Sequence, residues 1–149
     1  LKWPNDLLLD SAKLGGILIE ISGDLSGECK AVIGIGLNIK MPASVAIDQS
    51  WADLRHVLND QLDRTDILIA MCHSLARMLN EFEVKGFSSM HERWQDHHAH
   101  QGQKVSLHMG EHIIVGQCLG VNAQGALRIL TEDGEQCFQG GEVSVRHAS

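Results

Sequence analysis

The sequence lacks several features that would mark a membrane, secreted or nucleic-acid-binding protein. No apolar run approaches the roughly 20 residues that a membrane-spanning helix needs, and no basic segment precedes a short apolar one, as it would in a secretory signal. There is no tyrosine, and aromatic residues make up 4% of the chain, so the core must be mostly aliphatic. Twelve basic and nineteen acidic residues leave a net charge of −7. We therefore expect no membrane partner and no nucleic-acid contact through this chain.

Paired cysteines are also lacking. The four cysteines are widely spaced and form no C-x-x-C motif, which would indicate a metal or redox site. Without a secretory signal, this usage is typical of reduced thiols in a cytoplasmic protein. We therefore expect a cytoplasmic location and four thiols: Cys29, Cys72, Cys118 and Cys137.

Apolar patterning predicts strands first and helices next. Residues 65–85 carry apolar side chains every three or four positions and predict a long helix with a buried stripe. Asp63 or Thr65 can cap its start, and Gly86 suits its end. A second helix is predicted over residues 88–98. Three earlier runs bounded by turn residues predict short strands: 7–9, 17–21 and 31–39.

From residue 103 onward, short strand-like runs alternate with turn residues. Five such runs in a short segment predict a small β-barrel of the SH3-like kind. The expected fold is therefore α+β, with a mixed or antiparallel sheet and helices over residues 1–98 and the barrel over 101–149. The five predicted strands are Lys104–Met109, His112–Val121, Ala126–Thr131, Glu135–Phe138 and Glu142–Arg146.

Glycines and polar residues in the predicted strands indicate a candidate ligand site. The pair Gly15 and Gly16 lets another group approach the backbone closely, and Lys13 places a positive charge beside that gap. A nucleotide with a negatively charged reacting group would fit this pattern, although each element alone is more often structural. Since side chains alternate along a strand, three further residues share one face: Gly34, Gly36 and Asn38.

Three blocks of the chain, in order, resemble those of biotin protein ligases. Residues 2–6 (KWPND), 13–20 (KLGGILIE) and 32–38 (VIGIGLN) are similar to the family's KWPND, K-L-x-G-I-L-x-E and G-x-G-x-N blocks. Residues 140–146 (GGEVSVR) resemble its G-G-E-x-S-x-R ending. The resemblance implies the C-terminal part of a class II synthetase-like catalytic domain, followed by the SH3-like barrel.

This resemblance also implies that something lies upstream. The sequence begins with leucine rather than methionine and enters a dense motif at once, so we expect a fragment of a longer protein. The family's Gly- and Arg-rich biotin loop precedes the KWPND block and has no counterpart in this sequence. We therefore expect the fragment alone to be inactive.

The resemblance assigns roles to residues near the reacting groups. Lys13 matches the catalytic lysine that contacts the biotin carboxylate and the activated phosphate. Gly15 and Gly16 resemble the stretch that lies against the biotin part of the adenylate. Asn5 and Asp6 correspond to a polar turn near the phosphates, where Asp6 would help to hold Mg²⁺.

Other matched residues concern the nucleotide. Asn38 matches the residue that recognises adenine, while Gly34 and Gly36 leave room for the base. Glu142 and Arg146 match tail residues that handle the nucleotide's phosphates, for which arginine is a suitable partner. The loop over residues 40–51 is the candidate lid over the ligand.

As a whole, the resemblance implies a two-step ligase. Biotin and ATP, with Mg²⁺, would give biotinyl-adenylate, and biotin would then pass to a lysine of the biotin carboxyl carrier protein of acetyl-CoA carboxylase. The family often forms homodimers by joining strands side by side, here at the edge formed by residues 19–25. Two alternatives remain: a lipoate-attaching ligase, and a non-catalytic docking or regulatory fragment.

A histidine cluster offers a competing metal-site interpretation. It comprises His91, His97, His98 and His100, without the H-E-x-x-H spacing or a cysteine pair that would favour zinc. We favour a solvated helix end over a metal site there, and metal binding by the cluster stays open.

Overall fold

A computed structural model describes residues 1–23, 28–42, 47, 49–58, 63–140 and 143–147 of the chain. These residues form two compact units. Asn5–Leu62 is the first and is called the sheet unit here; Leu1–Pro4 together with Asp63–Ser149 is the second, called the barrel unit. In the parts of the chain that the structure describes, no helix has both the length and the apolar character to span a membrane.

A three-stranded antiparallel sheet forms the framework of the sheet unit. Its strands are β1 (Asp6–Leu9), β2 (Ala12–Gly23) and β3 (Cys29–Leu37), with β2 in the middle. The turn between β1 and β2 consists of two residues, Asp10 and Ser11, whose φ angles are 48° and 69°. Two consecutive left-handed residues match the right-handed strand twist of a tight hairpin. The three strands expected from the sequence are confirmed.

The long predicted helix is present, but its apolar stripe is not buried. Helix α1 spans Arg64–Lys85; the Asp63 carboxylate accepts a hydrogen bond from the Thr65 amide, and Gly86 ends the helix at φ 65°. No residue of α1 is buried, and Leu68 and Phe82 are among its exposed apolar side chains. The periodicity therefore predicted the helix correctly, whereas the expected core stripe was wrong for the residues described here.

The second helix packs on a five-stranded antiparallel sheet. A 3-10 turn (Phe87–Ser89) leads into α2 (His91–Asp96). The Gln95 side chain accepts a hydrogen bond from the Val121 amide at 2.9 Å, and Trp94 packs against the buried cluster of the sheet. The strands are β4 (Lys104–Met109), β5 (His112–Val121), β6 (Leu127–Thr131), β7 (Gly134–Phe138) and β8 (Val143–His147), in the spatial order β7-β6-β5-β4-β8.

Aliphatic side chains fill the core of the barrel unit, as the lack of tyrosine implies. Val105 and Leu107 of β4 are fully buried with Leu127 and Ile129 of β6. Trp3 joins this cluster, and its indole N–H donates to the Gly125 carbonyl at 3.1 Å. Trp3 is therefore a core residue of this unit. The predicted α+β class is confirmed.

The compact units divide the chain earlier than the predicted domains do. Both helices group with the five-stranded sheet, because α2 and its side chains bond to β5, whereas the predicted domains end at residue 98 and begin at 101. The division into 1–98 and 101–149 stays a prediction about domains of the family.

Of the four histidines of the cluster, only His97 is exposed, at the end of α2. His98 and His100 are buried, and the His98 ring lies 4.6 Å from the Trp94 ring and 4.0 Å from the Cys118 sulfur, measured from Nδ1. His91 instead contacts the Val121 carbonyl. No group of three or more His, Cys, Asp or Glu side chains within the described ranges is arranged to hold a metal ion. The expectation of solvation was wrong for His98 and His100, because the loop after α2 bonds to β5 through Gly102 and Gln103.

Burial of His98 predicts a pH-dependent stability. Burial, and next the charge of His100, lowers the pKa of His98 from 6.5 to about 4. The folded state binds this proton less tightly than the unfolded chain, so the stabilisation is complete above pH 6.5 and is lost as the pH falls toward 4. We expect the free energy of unfolding, measured by urea denaturation, to fall by about 2 kcal/mol from pH 7 to pH 5. His98→Phe should flatten this dependence, whereas the exposed control His112→Gln should retain it.

Candidate active site

A row of three residues crosses the sheet unit. The register pairs Asp6 with Gly16 and Gly16 with Gly36, so all three point to the same face. Gly34 lies two residues before Gly36 on that face, where it pairs with Leu18. The Asp6 carboxylate therefore lies at one end of a strip of the sheet that is formed mainly by glycines, called the glycine strip here.

A β-bulge brings Lys13 to this face. Leu7 pairs with Gly15 and Leu8 with Lys13, so Leu14 is an extra residue in β2. Without the bulge, Lys13 and Gly15 would share a face; with it, Lys13 joins Gly16 instead. The Lys13 ammonium accordingly lies 2.6 Å from Oδ1 of Asp6.

The segment Ser50–Leu54 joins Lys13 to Asn38. The Lys13 amide donates to the Ser50 carbonyl, and the Ala52 amide donates to the Lys13 carbonyl. The Asn38 side-chain nitrogen donates to the carbonyls of Lys13 and Ala52, each at 3.1 Å. Both N–H groups of this amide therefore bond to backbone, and its oxygen is the group that Asn38 can offer to a ligand.

These residues line one continuous groove. One part, of about 610 Å³, runs from Lys13 and Gly16 past Asn38 to Trp51. A second part, of about 390 Å³, shares Lys13 and Gly16 with the first and extends over Asp6. Lys13 and Asn38 thus line the same part of the groove, and Gly36 lines both parts.

The glycines of the groove differ in what requires them. A Cβ on Gly15 would lie 2.4 Å from the Gly36 carbonyl oxygen, so the fold itself demands glycine there. A Cβ on Gly16, Gly34 or Gly36 would come no closer than 3.5 Å to any atom outside its chain neighbours, which is ordinary contact. At these three positions the fold leaves room for a Cβ. Their bareness keeps the groove open.

Most of the predicted site residues come together in the groove of the sheet unit. Asn5 and Asp6 line the part beside Lys13. Glu142 lies outside the described residues. Arg146 is exposed on β8 of the barrel unit, paired with Ser106. The loop expected to form a lid, 40–51, falls partly outside the described residues, which include 40–42, 47 and 49–51 of it.

Sequence reasoning missed the segment that fixes Lys13 and Asn38. Trp51 forms a parallel bridge with Lys13. Asp53, two residues further along the segment, is fully buried. No pattern among neighbouring residues of the sequence predicts a parallel bridge that consists of one residue pair. A charged residue between Ala52 and Leu54, both of which carry apolar side chains, was the available signal.

Known proteins are similar to this chain over part or nearly all of its length. A family model described as the biotin protein ligase C terminal domain matches residues 100–146. The bifunctional ligase/repressor BirA of Escherichia coli is 35% identical over 99% of this chain and 46% of its own length. A biotin–[acetyl-CoA-carboxylase] ligase of Paracoccus denitrificans is 28% identical over 96% of this chain and 61% of its own length. The chain thus spans about half the length of the curated relatives that it matches.

Solved structures extend the likeness to the fold. The biotin protein ligase of Aquifex aeolicus in complex with biotin and ATP matches with a TM-score of 0.84 and 30% identity, over 99% of this chain and 62% of that one. Its apo form matches with a TM-score of 0.85. The family model, the curated relatives and the solved structures agree, and the chain is therefore similar, over nearly its whole length, to the C-terminal part of biotin protein ligases.

Proposed function

We propose that the groove of the sheet unit holds biotinyl-adenylate in an ATP-dependent biotin–protein ligase. The observation that carries the proposal is that Lys13 and Asn38 line one groove, in which the fold leaves room for a Cβ at Gly16, Gly34 and Gly36. Gly34 and Gly36 would lie under the adenine, and the Asn38 oxygen would accept a hydrogen bond from its amino group. Gly15 and Gly16 would lie along the biotin part.

Lys13 is the residue proposed to act in the reaction. In the first step a carboxylate oxygen of biotin attacks the α-phosphorus of ATP, and pyrophosphate leaves. The ammonium stabilises the negative charge that builds up between the two reactants, a contribution typically worth about 3 kcal/mol of the barrier. In the second step the lysine amine of an acceptor attacks the anhydride carbonyl, and AMP leaves.

Asp6 holds the Lys13 ammonium in position for this role. The carboxylate holds the ammonium at 2.6 Å and leaves it half-exposed within the groove. An incoming biotin carboxylate or phosphate competes with the Asp6 carboxylate for the Lys13 ammonium. The negative groups repel each other, and each is attracted to the same cation. Asp6 is therefore proposed as the residue that positions the lysine, with Asn5 completing the turn beside it.

Mg²⁺ binding by Asp6 stays a prediction. A single carboxylate is the right type of donor, because Mg²⁺ is commonly held by one or two carboxylates together with substrate phosphates. When bound, the ion would neutralise phosphate charge. Oδ1 of Asp6 is, however, already paired with Lys13, so a cation beside it would have to share this carboxylate with the ammonium.

The remaining partners are proposed from the family. The acceptor would be the biotin carboxyl carrier protein of acetyl-CoA carboxylase, in a cytoplasmic setting, and Glu142 and Arg146 would handle the phosphates. For the homodimer through residues 19–25, the edge of β2 supplies support: β1 pairs with β2 only as far as Gly16, and Ile19 and Ile21 beyond it are exposed. Residues 24 and 25 lie outside the described residues.

The test is biotin transfer by the full-length protein that carries this sequence. With ATP and labelled biotin we expect labelling of the acceptor domain, and an equal concentration of lipoate should not compete. The 149-residue chain alone should give no labelling. Preferential use of lipoate would replace the proposed substrate. Binding of the acceptor without any ATP-dependent transfer by the full-length protein would favour a docking role instead.

A further inference from the structure

Asp53 and Arg55 form a clamp at the base of the loop that follows Asn38. Arg55 donates to the Asp53 carboxylate through Nε at 3.1 Å and Nη2 at 2.8 Å. The same Nη2 donates to the Met41 carbonyl at 2.6 Å, and the Met41 amide donates to the carboxylate at 2.7 Å. The two ends of the loop, at Met41 and just after Ser50, are therefore held together by one ion pair.

The burial of the Asp53 carboxylate sets this ion pair apart from a surface salt bridge. The Asp53 side chain is fully buried, and its Oδ1 also accepts the Arg55 amide at 3.1 Å. A buried carboxylate is retained only where donors satisfy it, and the fork formed by Nε and Nη2 of Arg55, which both donate to Oδ2, restricts the geometry as well as supplying charge. The clamp is thus a fixed joint between the Met41 end of the loop and the 53–55 segment.

Asp53 lies between two residues whose hydrogen bonds hold Lys13 and Asn38 in place. Ala52, before Asp53, bonds to the Lys13 carbonyl and to the Asn38 side chain. Leu54, after it, donates its amide to the Asn38 carbonyl at 3.0 Å. A rotation or shift of Asp53 therefore moves the partners of both Lys13 and Asn38.

We propose that Asp53 and Arg55 are positioning residues for adenylate binding, which set the placement of Asn38 and Lys13 without touching the ligand. This inference rests on the proposed function. Displacement of binding groups by a fraction of an ångström to an ångström weakens a site strongly. The clamp therefore acts through Ala52, Leu54 and the base of the loop.

The experiment compares three variants of the full-length protein: Arg55→Gln, Arg55→Lys and the control Arg128→Gln. Arg128 is matched to Arg55, because it is also about one-third exposed and ion-paired, with Glu135, but lies in the barrel unit. Affinity for a non-hydrolysable biotinyl-adenylate analogue, the midpoint of thermal unfolding and amide hydrogen exchange are measured for each.

Arg55→Gln should weaken analogue binding about tenfold and speed exchange at the amides of Met41, Ala52 and Leu54. The amides between β2 and β3 should be unaffected, which a general loss of stability would not allow. Arg55→Lys keeps the charge beside Asp53 but loses the fork, so it should restore the unfolding midpoint and leave the affinity low. Arg128→Gln should bind as the wild type does.

Each outcome supports or overturns the clamp proposal. Wild-type affinity in Arg55→Gln, or affinity that follows the unfolding midpoint across the variants, would overturn the clamp proposal and leave the proposed function standing. A wild-type protein that does not bind the analogue would show that the proposed function is wrong, and the clamp's role would fall with it.

Discussion

Replacing Lys13 by Gln in the full-length protein should lower the rate of biotinyl-adenylate formation about 10²- to 10³-fold. The ammonium is the positive group at the centre of the groove, between the glycine strip and Asp6. Glutamine keeps the length and hydrogen-bonding ability of the side chain nearly unchanged, so the loss reports the charge. Pyrophosphate release with saturating biotin and ATP measures this step apart from transfer to the acceptor.

The matched control is Lys30→Gln. Lys30 is an exposed lysine of β3, paired with Ser22 far along the sheet from the groove, and its loss changes the net charge by the same amount. Its rate should stay within about twofold of the wild type, since isolated exposed charges contribute little. A Lys13→Gln enzyme that forms adenylate at the control's rate would remove Lys13 from the reaction. Addition of preformed biotinyl-adenylate should restore much of the transfer to Lys13→Gln, because its main defect lies in the first step.

Local patterns in the sequence predicted the elements of this fold well. The runs around 17–21 and 31–39 are strands because short runs rich in isoleucine, valine and leucine lie there between turn residues, and α1 is a helix because its apolar positions recur at 3.6-residue spacing. Two strands of the five-stranded sheet, β4 and β5, even begin and end at the predicted residues. Such information lies within a few neighbouring residues, so the sequence carries it directly.

The features that build the groove are not local in this sense. The bulge at Leu14 depends on how β1 and β2 settle against each other, and one extra residue decides on which face Lys13 lies. The bridge between Lys13 and Trp51 joins positions that are distant in the chain. The burial expected from the sequence was wrong in both directions. The apolar stripe of α1 was expected in the core and is exposed, whereas His98 was expected in solvent and is buried. The resemblance could name Lys13 and Asn38, but only tertiary pairing explains why they meet.

The difference between Gly15 and Gly36 predicts the second large effect. Gly36→Val should reduce the affinity for the biotinyl-adenylate analogue about a hundredfold, because a branched side chain would fill the space where the base is proposed to lie. Its unfolding midpoint should be unchanged or higher. A Cβ there meets nothing closer than 3.9 Å, and valine favours a strand that glycine weakens.

Gly15→Ala should behave in the opposite way. Its Cβ would lie 2.4 Å from the Gly36 carbonyl oxygen, so β2 and β3 must separate and the protein should lose about 1–3 kcal/mol of stability. The pair of variants therefore separates a glycine that the fold needs from one that the ligand needs. Equilibrium binding by calorimetry and thermal unfolding, run on both variants, measure the two effects side by side. Unaltered binding in a stable Gly36→Val protein would mean that no ligand lies on this strip, and the adenylate would have to be placed elsewhere.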